Sequence, residues 1–431
     1  MILDPRAETL DRAAREALQL ERLQATLAWA VARVAFHRER LQGTVVKTLG
    51  DLARLPFLHK RDLREHYPFG LFAVPRVELA RLHASSGTKG KPTVVGYTPD
   101  DLGVWREVMA RAMAAAGCRA GDLLHNAFGY GLFTGGLGFH DGAERLGMAV
   151  VPASSGNTAR HLLLLQDVRP AGFCATPSFA LHLAETLEEQ GGDPRALGLR
   201  YGMFGAEPWT EGMRTALERA FDCPAYDIYG LSEIIGPGVA GECEARDGLH
   251  VADDHFLPEI VVPDTGAVLG PGREGELVLT SLTKRAMPMI RYRTGDITTL
   301  TEAPCRCGRT TARIARVKGR SDDMLIIKGV NFYPSEVEAT LLAMDELVPH
   351  YQLLVDRSST LARLEVQVEP APAVVARCGG FDPRHPTLIE LGRRARARLV
   401  QAIGLTVELQ LVAPRTVPRS EGKAVRVVEK R

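Results

Sequence analysis

The chain has 431 residues, 45% of them hydrophobic, which is enough for one large and one small domain around ordinary buried cores. Lys plus Arg (53) nearly balance Asp plus Glu (52), excluding an overall field that draws in nucleic acid or an anionic membrane, and neither is expected as a partner. Asp4, Arg6 and Glu8 break any apolar signal core, the longest leucine run (Leu162–Leu165) is far too short to span a bilayer, and seven cysteines without a regular framework fit a reducing compartment; a cytoplasmic enzyme is expected.

From about Leu10 to Leu41, apolar positions recur at helical spacing with Arg and Glu between them, predicting an amphipathic helical segment packed on the main domain. From Leu79 to about Val262, short apolar runs such as Met148 to Val151 and Phe173 to Ala175 alternate with helix-like stretches such as His161 to Gln166 and Ser178 to Glu189. That alternation predicts an α/β fold with mainly parallel, helix-flanked sheets. Gly275 to Thr280 and Met324 to Ile327 read as strands near turns, in a β-rich patch. Glycine, serine and paired aspartates at Gly319 to Asp322 predict a flexible joint, dividing a large N-terminal domain (residues 1–319) from a small, mobile α+β C-terminal domain (residues 320–431). Within the latter, 370–386 is loose with Pro and Gly, and the basic run Arg393 to Arg398 reads as a solvated helix face. There is no internal repeat.

The segment Ser85-Ser86-Gly87-Thr88-Lys89-Gly90-Lys91-Pro92-Thr93 has the make-up of a loop around polyphosphate. Gly87 and Gly90 let backbone N–H groups approach an anion, Ser and Thr hydroxyls add donors, and Lys89 and Lys91 add charge. It is not a P-loop, because its glycines stand three apart and Pro92 follows the lysine. On composition alone, an ordinary polar hairpin loop stays open.

Seven further segments occur in a fixed order: YPFGLFAVP at Tyr67, GYGLFTGGLG at Gly129, FGAEPW at Phe204, DIYGLSEIIGPGV at Asp227, MPMIRYRTGD at Met287, GRSDDMLIIKGVNFYPSEVE at Gly319 and SEGKAVRV at Ser420. With the phosphate loop, they make the chain resemble, nearly end to end, the phenylacetate–CoA ligase family of the AMP-forming adenylating enzymes. The resemblance implies ATP, Mg²⁺ and coenzyme A alongside a small aryl acid. The acid attacks the α-phosphorus of ATP, and the thiol of CoA then displaces AMP.

Site residues follow from the matched motifs. Ser85, Ser86, Gly87, Thr88, Gly90 and Lys91 would cradle phosphates. Gly205, Ala206, Glu207, Asp227, Tyr229, Gly230, Asp296 and Arg320 would bind the rest of the nucleotide. Tyr229 is expected at adenine, Ser232 at the α-phosphate, and Glu233, a hard oxygen ligand, at Mg²⁺. Asp296, after a glycine turn, suits both ribose hydroxyls, although a turn aspartate paired with Arg291 or Arg293 has the same spacing. Lys423 is the catalytic lysine the resemblance implies, reaching from the small domain to the reacting carboxylate and α-phosphate. Asp322 matches the hinge about which that domain rotates before CoA attack.

Tyr130, Phe133, Ala206, Ile235, Gly236 and Pro237 are expected to wall the aryl-acid pocket. Phe128, Phe139, Asp141 and Ser155 depart from the family pattern, leaving open a benzoate such as anthranilate in place of phenylacetate. An enzyme loading a carrier-protein thiol is a further alternative, and intact Glu233, Asp296 and Lys423 argue against a non-catalytic regulator. Cys243, His250, Cys305 and Cys307 make a candidate structural Zn²⁺ set, with free buried cysteines as the competing account. The oligomeric state is left open, a homodimer included.

Overall fold

The computed structural model describes residues 1–85, 92–327, 330–356, 363–420 and 422–430. The loop residues Ser86, Gly87, Thr88, Lys89, Gly90 and Lys91 fall outside them. The N-terminal helical segment forms as two helices, α1 (Arg12–Arg33) and α2 (Ala35–Leu41). They part at Val34, whose extended backbone no helix can carry. Leu23, Leu27 and Ala30 on α1 pack against Leu282 and Ile290 of the main body, as the apolar spacing requires.

Strands β1 (Arg81–Ser85) and β2 (Thr93–Tyr97) pair antiparallel, Ser85 opposite Thr93, and so hold both ends of the phosphate-loop sequence. Thr98 then caps α3 (Pro99–Ala115): its hydroxyl accepts the Asp101 N–H, while the Asp101 carboxylate accepts the Thr98 N–H. Such a reciprocal cap is worth about 1 kcal/mol. Asp101 also accepts the main-chain N–H groups of Arg285 and Ala286, fixing a distant loop.

The predicted alternation follows: β3 (Leu123–Asn126), α4 (Gly135–Leu146), β4 (Ala149–Val151), α5 (Thr158–Val168), β5 (Gly172–Ala175), α6 (Pro177–Glu189), β6 (Tyr201–Gly205), α7 (Glu211–Phe221) and β7 (Ala225–Leu231). These five strands lie parallel in the order β7-β6-β5-β3-β4. Beyond Leu231 the chain turns back within four residues, too few for a crossover helix, and the sheet becomes antiparallel. It continues through β8 (Gly236–Glu242), β9 (Leu249–Val251), β10 (Phe256–Val261), β11 (Val268–Leu269), β12 (Glu274–Ser281), β13 (Tyr292–Thr301), β14 (Arg313–Ile314) and β15 (Gly319–Arg320). The order there is β7-β8-β9-β14-β13-β12-β10-β11, with β15 on β13. The predicted β-rich patch is this antiparallel half.

The remainder has its own hydrophobic cluster, running from Leu325 to Leu411. Strands β16 (Leu325–Ile327) and β17 (Val330–Phe332) form a hairpin whose Leu325, Ile327 and Phe332 enter that cluster, so Met324 to Ile327 belongs there and not to the antiparallel patch. Helix α8 (Pro334–Leu342), strands β18 (Leu347–Asp356) and β19 (Arg363–Pro370), helix α9 (Pro386–Ile403), and strands β20 (Glu408–Leu411) and β21 (Val427–Lys430) complete it. The sheet order is β20-β19-β18-β21. A short helix, Pro372–Arg377, stands inside the stretch expected to be loose. Arg393, Arg394, Arg396 and Arg398 lie on the exposed face of α9 and Leu391, Ala395 and Leu399 on its buried face. No helix among the described residues is long and apolar enough to cross a membrane.

Candidate active site

Two strand ends and one turn bring the nucleotide residues together. At the end of β7, the Tyr229 hydroxyl donates to Asp296 Oδ2 of β13 at 2.5 Å. The other oxygen of Asp296 faces Arg320 Nη1 at 3.4 Å, and Arg320 Nε donates to Asp322 Oδ1 at 2.8 Å. Burial pushes the Asp296 carboxyl above the usual range, Arg320 opposing it, and burial likewise raises the Tyr229 phenol, with the Asp296 carboxylate adding to the shift. Arg291 and Arg293 pair with Glu259 and Glu276, so Asp296 is not the partner of either arginine. Asp227 points elsewhere: it is buried beside Arg316 at 3.4 Å, its N–H donates to Glu242, and burial lifts its carboxyl to about 6.

The turn Ser232 to Ile235 between β7 and β8 is held from beneath by main-chain contacts. Tyr97 donates to the carbonyls of Ser232 (3.2 Å) and Ile235 (2.9 Å), and Trp105 Nε1 donates to the Pro237 carbonyl at 2.9 Å. The Tyr97 and Trp105 rings stack, their centroids 5.1 Å apart. Gly236 has φ of 122°, and a Cβ there would come within 2.4 Å of the Trp105 ring, so only glycine fits. The Ser232 hydroxyl meets that of Thr134, at the head of α4, at 3.1 Å. Lys284 is 2% exposed, donates to the Glu233 carbonyl at 2.9 Å and lies over the Tyr97 ring at 4.9 Å. Burial lowers its ammonium to about 8. The Glu233 carboxylate has Lys60 Nζ at 4.0 Å. A buried hard oxygen on a fixed turn fits Mg²⁺.

Toward the aryl-acid side, Tyr130 OH accepts from Asn126 Nδ2 at 2.8 Å and meets His140 Nδ1 at 3.0 Å. Phe128 and Phe139 stack at 5.0 Å within the main core. Phe133 and Ala206 are exposed, whereas Ile235 is packed into the main core.

Across from these, the chain Gly422 to Ala424 lies on the large body. Thr176 Oγ1 donates to the Gly422 carbonyl at 2.8 Å, and the Ala424 N–H donates to Glu207 Oε2 at 2.8 Å. Glu207, expected among the nucleotide residues, has its other oxygen accepting from Ser178 N (2.8 Å) and Ser178 Oγ (2.6 Å). Lys423 reaches solvent within the cleft, yet burial between the two bodies pushes its ammonium below the ordinary lysine range. Glu207, Asp296 and Glu233 pull the other way. Lys423, Asp296 and Glu233 therefore share one electrostatic neighbourhood.

Cys243, His250, Cys305 and Cys307 place their ligand atoms within 4.8 Å of one another. Cys243 Sγ and Cys305 Sγ are 3.8 Å apart, and Cys307 Sγ and His250 Nε2 are 3.4 Å apart. The edge between two sulfurs of a tetrahedral zinc site is about 3.8 Å, so the set fits the ion. His250 Nδ1 is engaged by Thr311 Oγ1 at 2.9 Å, which turns Nε2 toward the thiols. Burial, reinforced by Arg309 and Arg313, lowers His250 to about 3 and keeps the ring neutral. Burial lifts Cys243 to about 12; it opposes ionisation of Cys307 too, but donors from Arg309 prevail there and hold that thiol below its ordinary value.

The motifs missed Thr134, Lys60 and Lys284. Thr134 stands inside GYGLFTGGLG, so a signal existed; Lys284, in Thr283-Lys284-Arg285, has the look of a surface residue and gives none.

The AMP-binding enzyme family profile matches residues 17–283, and the AMP-binding enzyme C-terminal domain profile matches residues 329–431. A phenylacetate-coenzyme A ligase of Thermus thermophilus is 51% identical over 99% of both chains. The chain belongs to the phenylacetate–CoA ligase family. It is an AMP-forming acid–thiol ligase, and ATP, Mg²⁺ and CoA come with that membership. The family's ligase from Escherichia coli is 46% identical over 100% of this chain and 98% of its own. Among solved structures, 2-hydroxyisobutyryl-CoA ligase in its postadenylation state, with 2-HIB-AMP, gives a TM-score of 0.92 at 33% identity, covering 99% of this chain and 92% of that one. The same ligase in its thioesterification state, with CoA bound, gives 0.72, covering 99% and 91%.

Proposed function

We propose that the protein makes phenylacetyl-CoA. In the first half-reaction a phenylacetate oxygen bonds to the α-phosphorus of ATP as pyrophosphate leaves; in the second, the CoA sulfur bonds to the acyl carbon as AMP leaves and the thiol proton passes to solvent. One observation supports the reading: the main chain on either side of Lys423 is bonded to Thr176 and Glu207, and the Glu207, Asp296 and Glu233 carboxylates all act on its ammonium against the effect of burial.

Asp296 and Tyr229 orient the ribose and adenine; the Tyr229–Asp296 bond opens or is shared when the ribose hydroxyls arrive. Ser232 donates to the α-phosphate from a turn fixed by Tyr97, Trp105 and Lys284. Glu233 would hold Mg²⁺, which when bound neutralises phosphate oxygens. Lys423 sets a compact ammonium beside the charge that develops as the carboxylate attacks. Residues 1–319 and 320–431 act as two bodies joined at Asp322, whose rotation removes Lys423 and admits the thiol. Cys243, His250, Cys305 and Cys307 would hold a structural Zn²⁺, the four protein ligands leaving it no catalytic role. Cysteines held out of disulfides suit the cytoplasm.

The test is AMP release with ATP, CoA and a panel of acids. Phenylacetate should exceed acetate and octanoate by at least about tenfold in kcat/KM, since a buried ring is worth on the order of 2 kcal/mol. Preference for octanoate overturns the aryl assignment. Preference for anthranilate moves the acid to a benzoate.

A further inference from the structure

Lys423 lies on an irregular stretch between Gly422 and the start of β21, where its own carbonyl accepts from Ser420 Oγ at 2.8 Å. Its two chain neighbours are nevertheless fixed, and by the other body. The Thr176 hydroxyl holds the carbonyl just before it and the Glu207 carboxylate holds the N–H just after it. We infer that Glu207 is a positioning residue for Lys423: with Thr176 it brackets the lysine's main chain from across the interface and thereby aims the ammonium at the reacting oxygens. This rests on the reading of Lys423 as the adenylation lysine.

Three features make Glu207 suited to that task. Ala206, just before it, is held at φ of 69°, a costly conformation for a residue with a Cβ, and this turns Glu207 out of the line of β6. One carboxylate oxygen is then locked by two donors of Ser178 in the first turn of α6, where the helix dipole favours negative charge. The carboxylate's orientation is thus settled within the large body, and the second oxygen is left to receive Ala424 N–H. Arg426, two residues further on, also reaches the large body, at Ser178 Oγ across 3.5 Å. A contact made to main chain at a residue that must leave the site exists in one conformation only, so it acts on one half-reaction only.

The experiment uses the full chain with Glu207→Ala, Glu207→Gln and Ser178→Ala, assayed separately for ATP–pyrophosphate exchange and for thioester formation from supplied phenylacetyl adenylate. Adenylation should fall at least about tenfold in Glu207→Ala and less in Glu207→Gln and Ser178→Ala, while thioester formation stays within about twofold. The Ala424 amide should exchange its hydrogen faster in Glu207→Ala. In a Lys423→Ala background, Glu207→Ala should add nothing to the residual adenylation rate, because both act through one ammonium. Equal losses in both half-reactions, a full additional loss in the double variant, or unchanged exchange at Ala424 would each overturn the proposal. If Lys423→Ala alone left adenylation intact, the reading of Lys423 would fail instead, and faster Ala424 exchange would still report the bracket. Should Glu207→Ala not fold, Ser178→Ala carries the same readouts.

Discussion

Lys423 and Lys284 are both lysines whose ammonium is pushed below its ordinary range by burial, and they call for different tests. Lys423→Ala removes charge at the transition state of the first step alone. Adenylation should drop by about a hundredfold or more, on the order of 3 kcal/mol, with thioester formation from supplied adenylate largely kept. Equal loss in both steps would falsify that division of labour. Lys284 is placed under the Glu233 turn, and its signature is in stability. The folded chain gives up its proton near 8, the unfolded chain near 10.5, so between these values the unfolded state holds more protons and stability rises with pH. Relative to Lys284→Met, the natural protein should therefore gain about 2 kcal/mol between roughly pH 8 and pH 9.5 in urea unfolding. A flat difference across that window would remove the buried ammonium from the account.

At the scale of elements, the Cys–His cluster ties the end of β8 and β9 to the loop holding Cys305 and Cys307, segments some sixty residues apart. Protein purified without chelator should carry about one Zn²⁺ per chain, and Cys305→Ser should lower metal content and Tm together, with activity falling only as folding falls. Metal analysis finding none would leave the four residues as a packed thiol cluster. These four were legible in the sequence because thiols and imidazole are the ligand types themselves. The parallel strands and their helices were legible for a similar reason: each is a local apolar run with its own period, as at Phe173 to Ala175 and Ser178 to Glu189. What sequence could not show is a contact with no local signature. The break at Val34 depends on how α1 and α2 wrap the body, the placing of Met324 to Ile327 depends on which core receives its side chains, and Glu207 meets Ala424 across 217 positions of chain. Asp227 illustrates the opposite error, since a motif residue two places from Tyr229 on a strand shares its face, yet here it is neutralised by Arg316 and Glu242 lies behind it.

For the molecule as a whole, the chain matches a postadenylation structure at a TM-score of 0.92 and a thioesterification structure at 0.72. Asp322, the proposed joint, is paired with Arg320, which also faces Asp296. Asp322→Pro fixes φ and removes an N–H, so it should slow thioester formation more than adenylation in single-turnover assays. A loss confined to adenylation would move the pivot elsewhere.

The seam between the bodies is made of Thr176 with Gly422, Glu207 with Ala424, Thr210 with Glu338, Glu185 with His350 and Arg419, and Glu189 with Arg415. Leu342, seated over Gly212, is the apolar exception among these contacts. Water can take over nearly every one of these bonds as the bodies part, so opening uncovers little oily surface and carries a small heat-capacity change. The balance between the two settings of the enzyme should then shift with temperature along a nearly straight van't Hoff line, with no temperature at which the preference turns over.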